Sequence, residues 1–179
     1  MTGRKLRWGI ISTCKIARTF ARALAVSESG ELVAVASRSP EASATFAAEF
    51  GISRAHGSYQ ALLADPEVEV VYVATPHPFH AQWAIAAARA KKHVLCEKPL
   101  GMNHAEVSAI VRAARDNDVF LMEAFMYRCH PQTREVVRLL QAGALGRVKG
   151  IQASFCIAGA YPASGRILNK ELGGGALLD

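Results

Sequence analysis

Short apolar runs alternate with helically spaced apolar positions from Arg7 to Met122. The run from Arg7 to Ser12 fits a buried strand, and Ile16, Phe20 and Leu24 then recur every fourth residue, on one helical face. Leu32 to Ala36 predicts a second strand. Ser39 fits an N-cap with Pro40 in the first turn, and Phe46 and Phe50 line one face of a helix that Gly51 ends. Ser58 predicts the cap of a short helix through Leu63. Val68 to Ala74 is almost continuously apolar, as a parallel strand covered on both faces requires. A helix with Phe79, Trp83, Ala86 and Ala87 on one side follows, then a strand from His93 to Glu97. Asn103 with Glu106 three residues later has the form of a capping box, and Val107, Ile110, Val111 and Ala114 carry the helical period beyond it. Val119 to Met122 predicts the last strand of the series. Strands alternating with helices predict an α/β fold, a parallel sheet with helices on both faces.

The pattern changes after Glu123. Pro131 predicts a helix whose Val136, Val137 and Leu140 face inward and which Gly143 stops. From Val148 to Ile157 apolar positions alternate with small or polar ones, the period of a strand with one buried face in an antiparallel sheet. The expected division is a domain over 1–123 and the unfinished start of another over 124–179, since one long strand cannot make a sheet.

Composition narrows the class. With 51% hydrophobic and 20% charged residues among 179, the chain is not a disordered polar segment. No apolar run approaches the roughly 18 residues that span a bilayer, and no short apolar segment near Met1 reads as a signal peptide. A cytoplasmic protein with no membrane partner is expected. Cys14, Cys96, Cys129 and Cys156 lack CxxC spacing and fit reduced thiols. The net charge of +6 is scattered, without a basic stripe interleaved with aromatics, so no nucleic-acid partner is expected. An anionic small molecule needs only a few of these charges. His77 and His80 stand three apart without a carboxylate or thiolate at ligand spacing, so no metal is expected. His80 is placed at a pocket edge or as a cap of the following helix.

The segment Gly9 to Ala17 joins the first strand to the first helix, where a dinucleotide fold holds pyrophosphate against backbone N–H groups. Ser12, Cys14 and Ala17 stand where the three glycines of G-x-G-x-x-G would be, with Thr13, Lys15 and Ile16 between them. An ordinary strand-to-helix turn accounts for this segment equally well. Lys15 at a helix start is unfavourable for the dipole unless an anion lies nearby. At the end of the second strand the chain has Ser37, Arg38 and Ser39 rather than an acid. An arginine and two hydroxyls can receive a ribose 2′-phosphate that a carboxylate would repel, although a solvated turn residue is the alternative for Arg38.

Ligands of open α/β sheets bind beyond the carboxyl ends of the strands. Three segments collect there: Ala74 to His80 with Thr75, Pro76 and His77, then Cys96 to Pro99 with Glu97 and Lys98, then Glu123 to Arg128 with Tyr127. Lys98, at a strand end before a proline, is either a surface solubiliser or a functional amine. A lysine beside a cationic nicotinamide in a partly desolvated pocket loses preference for its ammonium form and can exchange a proton with a substrate hydroxyl. Glu97 pairs with Lys98, orients a cofactor, or is only structural.

Taken together, Trp8 to Ile16, Val73 to His77, Glu97-Lys98-Pro99, Met122 to Arg128 and Gly173 to Asp179 resemble the Gfo/Idh/MocA oxidoreductases. The branch it is most similar to holds dihydrodiol and NADP-dependent D-xylose dehydrogenases. The resemblance implies a Rossmann-type doubly wound domain followed by the truncated start of an α/β domain with a mainly antiparallel open sheet. It implies NADP(H) rather than NAD, bound by Ser12 to Ile16, Ser37 to Ser39, Thr75 to His77, His80, Glu97, Lys98 and Arg128. Lys98 is then the catalytic lysine, Asp179 orders the pocket, and Tyr127 and Arg128 line the substrate side with Lys98. The expected activity is hydride transfer to or from a sugar or related polyhydroxy compound, in a full-length protein that forms a homo-oligomer. In this branch a tyrosine or histidine one helical turn beyond the aspartate completes proton transfer. The chain stops before that position, so an N-terminal fragment or truncated product is expected. The rival readings are an inactive NADP-binding module or sensor, and a domain that only dimerises through an exposed strand.

Overall fold

The structure is a computed structural model that describes residues 3–154, 156 and 165–175. Six strands alternate with helices: β1 (Leu6–Ile11), α1 (Lys15–Ala25), β2 (Gly30–Ala36), α2 (Pro40–Phe50), β3 (Arg54–His56), α3 (Tyr59–Ala64), β4 (Val70–Val73), α4 (His80–Arg89), β5 (His93–Cys96), α5 (His104–Asp116) and β6 (Leu121–Glu123). A further helix, α6 (Pro131–Gln141), follows a 3-10 turn at Met126–Cys129. All five strand pairings are parallel, and the order across the sheet is β3-β2-β1-β4-β5-β6. The chain winds outward from β1 to β3, then crosses to β4 and winds the other way. The strand order therefore reverses between β1 and β4, where the first connections part and leave a crevice.

Alternation along the strands divides the core. Ile11, Val71 and Val73 pack on one face with Leu62, Ala84, Ala87, Val94 and Ile110. Ile10, Val35 and Tyr72 pack on the other with Ala17, Ala21 and Phe46. Each such aliphatic or phenyl side chain contributes about 1.5–3 kcal/mol on burial. Gly9 is held to its size by α3: a Cβ there would lie 3.0 Å from Leu62 and from Val68. The caps follow the sequence pattern. Ser39, Ser58 and Asn103 accept from Ala42, Ala61 and Glu106 amides, and Gly51 ends α2 at φ 67°.

Register sets the level of the carboxyl rim. Ile11 lies beside Ala36 and Val73, Val73 beside Cys96, and Cys96 beside Glu123. The loops that follow these residues therefore start at one height.

Three expectations need correction. Phe79 belongs to a 3-10 turn before α4 and is 41% exposed, because the helix begins one residue later. Val136, Val137 and Leu140 do not face inward; α6 buries no residue, and its apolar stripe finds no surface to cover it among the described residues. Residues 148–154 form no strand, and no strand pairs with them among the described residues; Phe155 and Ile157 lie outside those residues. The short β3 was not foreseen. Among the described residues no helix is long and apolar enough to cross a membrane.

Candidate functional site

A cleft of about 320 Å³ opens at the carboxyl rim where β1 and β4 part. Cys14 and Ile16 from the β1–α1 turn form one wall. Ala74, Thr75, Pro76 and His77 from the end of β4 form another, and Glu97 and Lys98 after β5 a third.

The β1–α1 turn is shaped by its own backbone. Ser12 adopts φ 105°, a region L side chains rarely occupy and one that costs about 1–3 kcal/mol. Its N–H donates to Ala36 at 3.0 Å, and its Oγ accepts from the Cys14 N–H at 3.3 Å. The Cys14 thiol donates to the Ala74 carbonyl at 3.3 Å, fastening the turn to β4. Arg18 reaches back to the Thr13 carbonyl, donates to Glu49 at 2.9 Å and lies over Phe46. The first turn of α1 holds no acidic residue. Ser12, Thr13 and Lys15 belong to this turn without forming the cleft wall.

At the end of β2, Arg38 is exposed. The flanking serines also make local hydrogen bonds. Ser37 accepts from the Ser39 amide at 3.2 Å, while Ser39 caps α2 and donates to Glu41 at 2.7 Å. That hydrogen bond holds the Glu41 carboxyl below its usual range, so a carboxylate shares this turn with Arg38. Tyr59 was missed by the sequence reading. Burial pushes its phenol up, and the Arg38 guanidinium beside it opposes the shift.

Thr75 is 7% exposed, and its Oγ1 is buried without a hydrogen-bond partner among the described residues. Such an atom costs about 1–3 kcal/mol unless a ligand or water satisfies it. His77 is buried, and its Nδ1 lies 3.2 Å from the Gly173 carbonyl. Gly173 takes φ +72° and a Cβ there would fall 2.9 Å from His77, so the distal glycine segment can approach only as glycine.

Glu97 is held from below. The Tyr72 hydroxyl donates to its Oε1 at 2.5 Å, and the Tyr72 ring stacks on Phe20 at 4.1 Å. Burial, followed by Glu97, pushes the Tyr72 phenol up, so it stays a donor. Lys98 is half-buried. The turn that carries it is braced by β6, where Glu123 accepts from the Leu100 amide at 2.8 Å. Burial, with Glu97 and Glu123 nearby, pushes the Cys96 thiol up and makes it a core group. Neither Tyr72 nor Glu123 was foreseen as a support.

Other expected residues stand elsewhere. His80 does not line the cleft and its side chain does not cap α4: it is fully buried, with both ring nitrogens against main-chain carbonyls. Tyr127 and Arg128 are exposed on the 3-10 turn after β6 and do not form the cleft wall, because the chain turns outward there. Asp179 lies outside the described residues. Among the described residues no group of three or more His, Cys, Asp or Glu is placed to hold a metal ion.

The parts present fit a dinucleotide. A helix N-terminus without acidic residues faces the cleft, the adjoining loop carries an exposed arginine, and a buried threonine hydroxyl lacks a partner.

Comparison with known proteins agrees with that fit. The GFO_IDH_MocA model, described as an oxidoreductase family with an NAD-binding Rossmann fold, matches residues 6–125. A trans-1,2-dihydrobenzene-1,2-diol dehydrogenase from Danio rerio is 48% identical over 176 residues, covering 97% of this chain and 52% of that protein. D-xylose 1-dehydrogenase (NADP(+)) 2 of Haloferax volcanii is 39% identical over 97% of this chain and 53% of its own length. The crystal structure of a 3-ketoreductase from Actinomadura kijaniata with NADP superposes with a TM-score of 0.73 at 38% identity, over 80% of this chain and 46% of that one. The chain spans about half the length of the curated relatives it matches.

Proposed function

The chain belongs to the Gfo/Idh/MocA oxidoreductase family, and from that premise we propose that it binds NADP(H) and serves hydride transfer at a C–OH or C=O group of a sugar, diol or related polyhydroxy compound. The observation that carries this reading is the meeting of three strand ends in one cleft: Cys14 after β1, Thr75 after β4 and Lys98 after β5. Relatives that act on diols and D-xylose support the substrate class.

In the turn that runs from Ser12 to Ile16, the backbone N–H groups of Thr13, Lys15 and Ile16 hold the pyrophosphate at the start of α1, while the Ser12 and Cys14 amides shape the turn. Arg38 pairs with the 2′-phosphate, which favours NADP over NAD; Glu41 must turn aside from that phosphate. The Thr75 hydroxyl gains a partner when the cleft fills. When bound, the nicotinamide supplies the hydride acceptor or donor. Glu97, fixed by Tyr72, orients it, and Lys98 hydrogen-bonds the reacting oxygen and carries its proton. Residues 1–123 are the nucleotide domain in this reading, and 124–179 begin a substrate unit that includes Asp179. The whole protein works in the cytoplasm as a homo-oligomer.

Fluorescence titration with NADPH and NADH, beside turnover assays on an aldose and diol panel, tests the proposal. Tight NADPH binding and turnover that falls on Lys98→Ala are the expected results. Failure to bind either nucleotide would overturn it.

A further inference from the structure

His80 opens α4 beneath the cleft and is 0% exposed. Its Nδ1 lies 2.7 Å from the Pro99 carbonyl oxygen and its Nε2 lies 2.8 Å from the Thr75 carbonyl oxygen. A carbonyl oxygen only accepts, and a neutral imidazole has one N–H and one lone pair. Either neutral tautomer would therefore press a nitrogen lone pair against an oxygen lone pair at hydrogen-bond distance, away from water. Only a ring with a proton on each nitrogen satisfies both contacts. We infer that His80 is a buried imidazolium that clasps the Thr75 and Pro99 carbonyls, and that this clasp fixes two walls of the cleft relative to each other.

The two carbonyls belong to the residue with the unpartnered hydroxyl and to the residue directly after Lys98. They follow β4 and β5, so no local turn joins them; one ring bridges the two loops. The titratable groups on the surrounding segments include His77, with its ring centroid 5.5 Å away, Cys96 at the end of β5 with Glu97 and Lys98 after it, His104 and Glu106 at the start of α5, and Glu123 at the end of β6. Glu106 and Glu123 accept from the Met102 and Leu100 amides. The loop that accepts one His80 hydrogen bond is thus braced by two carboxylates through its Leu100 and Met102 amides. His80 is a positioning residue: it acts through Thr75 and Lys98.

The charge state stands on geometry alone, whereas its bearing on nucleotide binding rests on the proposed function. Nitrogen-15 NMR of the histidine rings reads the first part directly. The expected result is one ring, lost in His80→Gln, that carries a proton on each nitrogen at neutral pH, the state the two carbonyl contacts require. If His80→Gln does not fold, assignment follows by elimination from Gln substitutions at the other histidines. A neutral tautomer for His80 at neutral pH overturns the inference. For the second part, NADPH titration should weaken by about tenfold or more in His80→Phe, with partial rescue in His80→Gln, which keeps N–H donors. Wild-type affinity in a folded His80→Phe overturns the positioning role, whereas no binding by the wild-type protein overturns the proposed function and leaves the NMR result standing.

Discussion

The two rims of the sheet are built from similar residue types and put them to different use. At the amino rim, charged groups answer one another. Arg7 donates to Glu67 at 2.9 Å, its amide donates to Glu69 at 3.1 Å, and Arg4 also pairs with Glu69. Lys92 donates to the Asp65 and Val68 carbonyls at 2.8 and 2.7 Å. Asp65, which precedes β4, accepts from the Glu67 amide there and also reaches the ring of His56, at the far end of β3, at 2.9 Å. At the carboxyl rim the polar groups stand on supports from the sheet. Glu97 is held by Tyr72, the Lys98 turn is braced by Glu123, and the Thr75 hydroxyl has no partner among the described residues. The amino-rim charges are paired, although Arg7 Nε, 3.4 Å from Glu69, makes no hydrogen bond among the described residues, whereas the carboxyl rim leaves the Thr75 hydroxyl in the wall of a cleft. The proposed function uses that difference: it assigns nucleotide binding to the carboxyl rim and stability to the amino rim.

Substitutions at the two rims should therefore separate binding from stability. The largest effect falls on Lys98→Ala, which should lower turnover in the proposed reaction by about 10²–10⁴-fold, the usual worth of acid–base assistance, with little change in melting temperature. Unchanged turnover would remove Lys98 from its role. Arg38→Ala should reduce the preference for NADPH over NADH by about ten- to a hundredfold, the loss of a charge-assisted hydrogen bond of about 1.5–3 kcal/mol. Competitive titration of the two nucleotides checks this, and an untouched ratio would refute the phosphate assignment.

The amino rim should respond in the opposite sense. Asp65→Ala strands the His56 ring and the Glu67 amide and should cost about 1–3 kcal/mol in urea unfolding, with NADPH affinity unchanged. Burial raises the Asp65 carboxyl, but the Glu67 amide, His56 and Arg54 outweigh it and hold it below its ordinary value. The unfolded chain therefore binds this proton first as pH falls. The stabilisation is complete above the unfolded value of about 3.9 and is lost as pH drops through the native one. An acid-unfolding limb that is shallower in Asp65→Asn than in wild type is the expected signature. Smallest is Asn103→Ala, which removes the α5 cap and should cost about 1 kcal/mol in urea unfolding.

Much of the fold was legible because burial leaves a periodic trace. Val70 to Val73 are all buried, and their unbroken apolar run announces a strand covered on both faces. Ser39, Ser58 and Asn103 mark helix starts through side chains that satisfy orphan amides. The strand β3 was not legible, since Arg54, Ala55 and His56 carry no apolar pattern and are ordered by backbone pairing with Ala34 to Ala36. The stripe of α6 gave a helix but not its partner: periodicity reports which face is apolar, not what covers it. The cleft was partly legible through topology, because strand ends are where such sheets bind. Its supports were not. Tyr72 reads as one more core residue, and Glu123 meets Leu100 only through the register of β5 and β6. His80 read as a rim residue because nothing in a sequence says that two carbonyls converge on one ring.

The central claim is that the carboxyl-rim cleft, and not the amino rim, holds the dinucleotide. Backbone amide NMR shifts on addition of NADP test it most directly. The account predicts saturable changes concentrated at residues 12–16, 37–39, 74–77 and 97–98, with residues 67–69 and 92 unmoved. Saturation centred on the amino rim, or no change at any concentration, would contradict it.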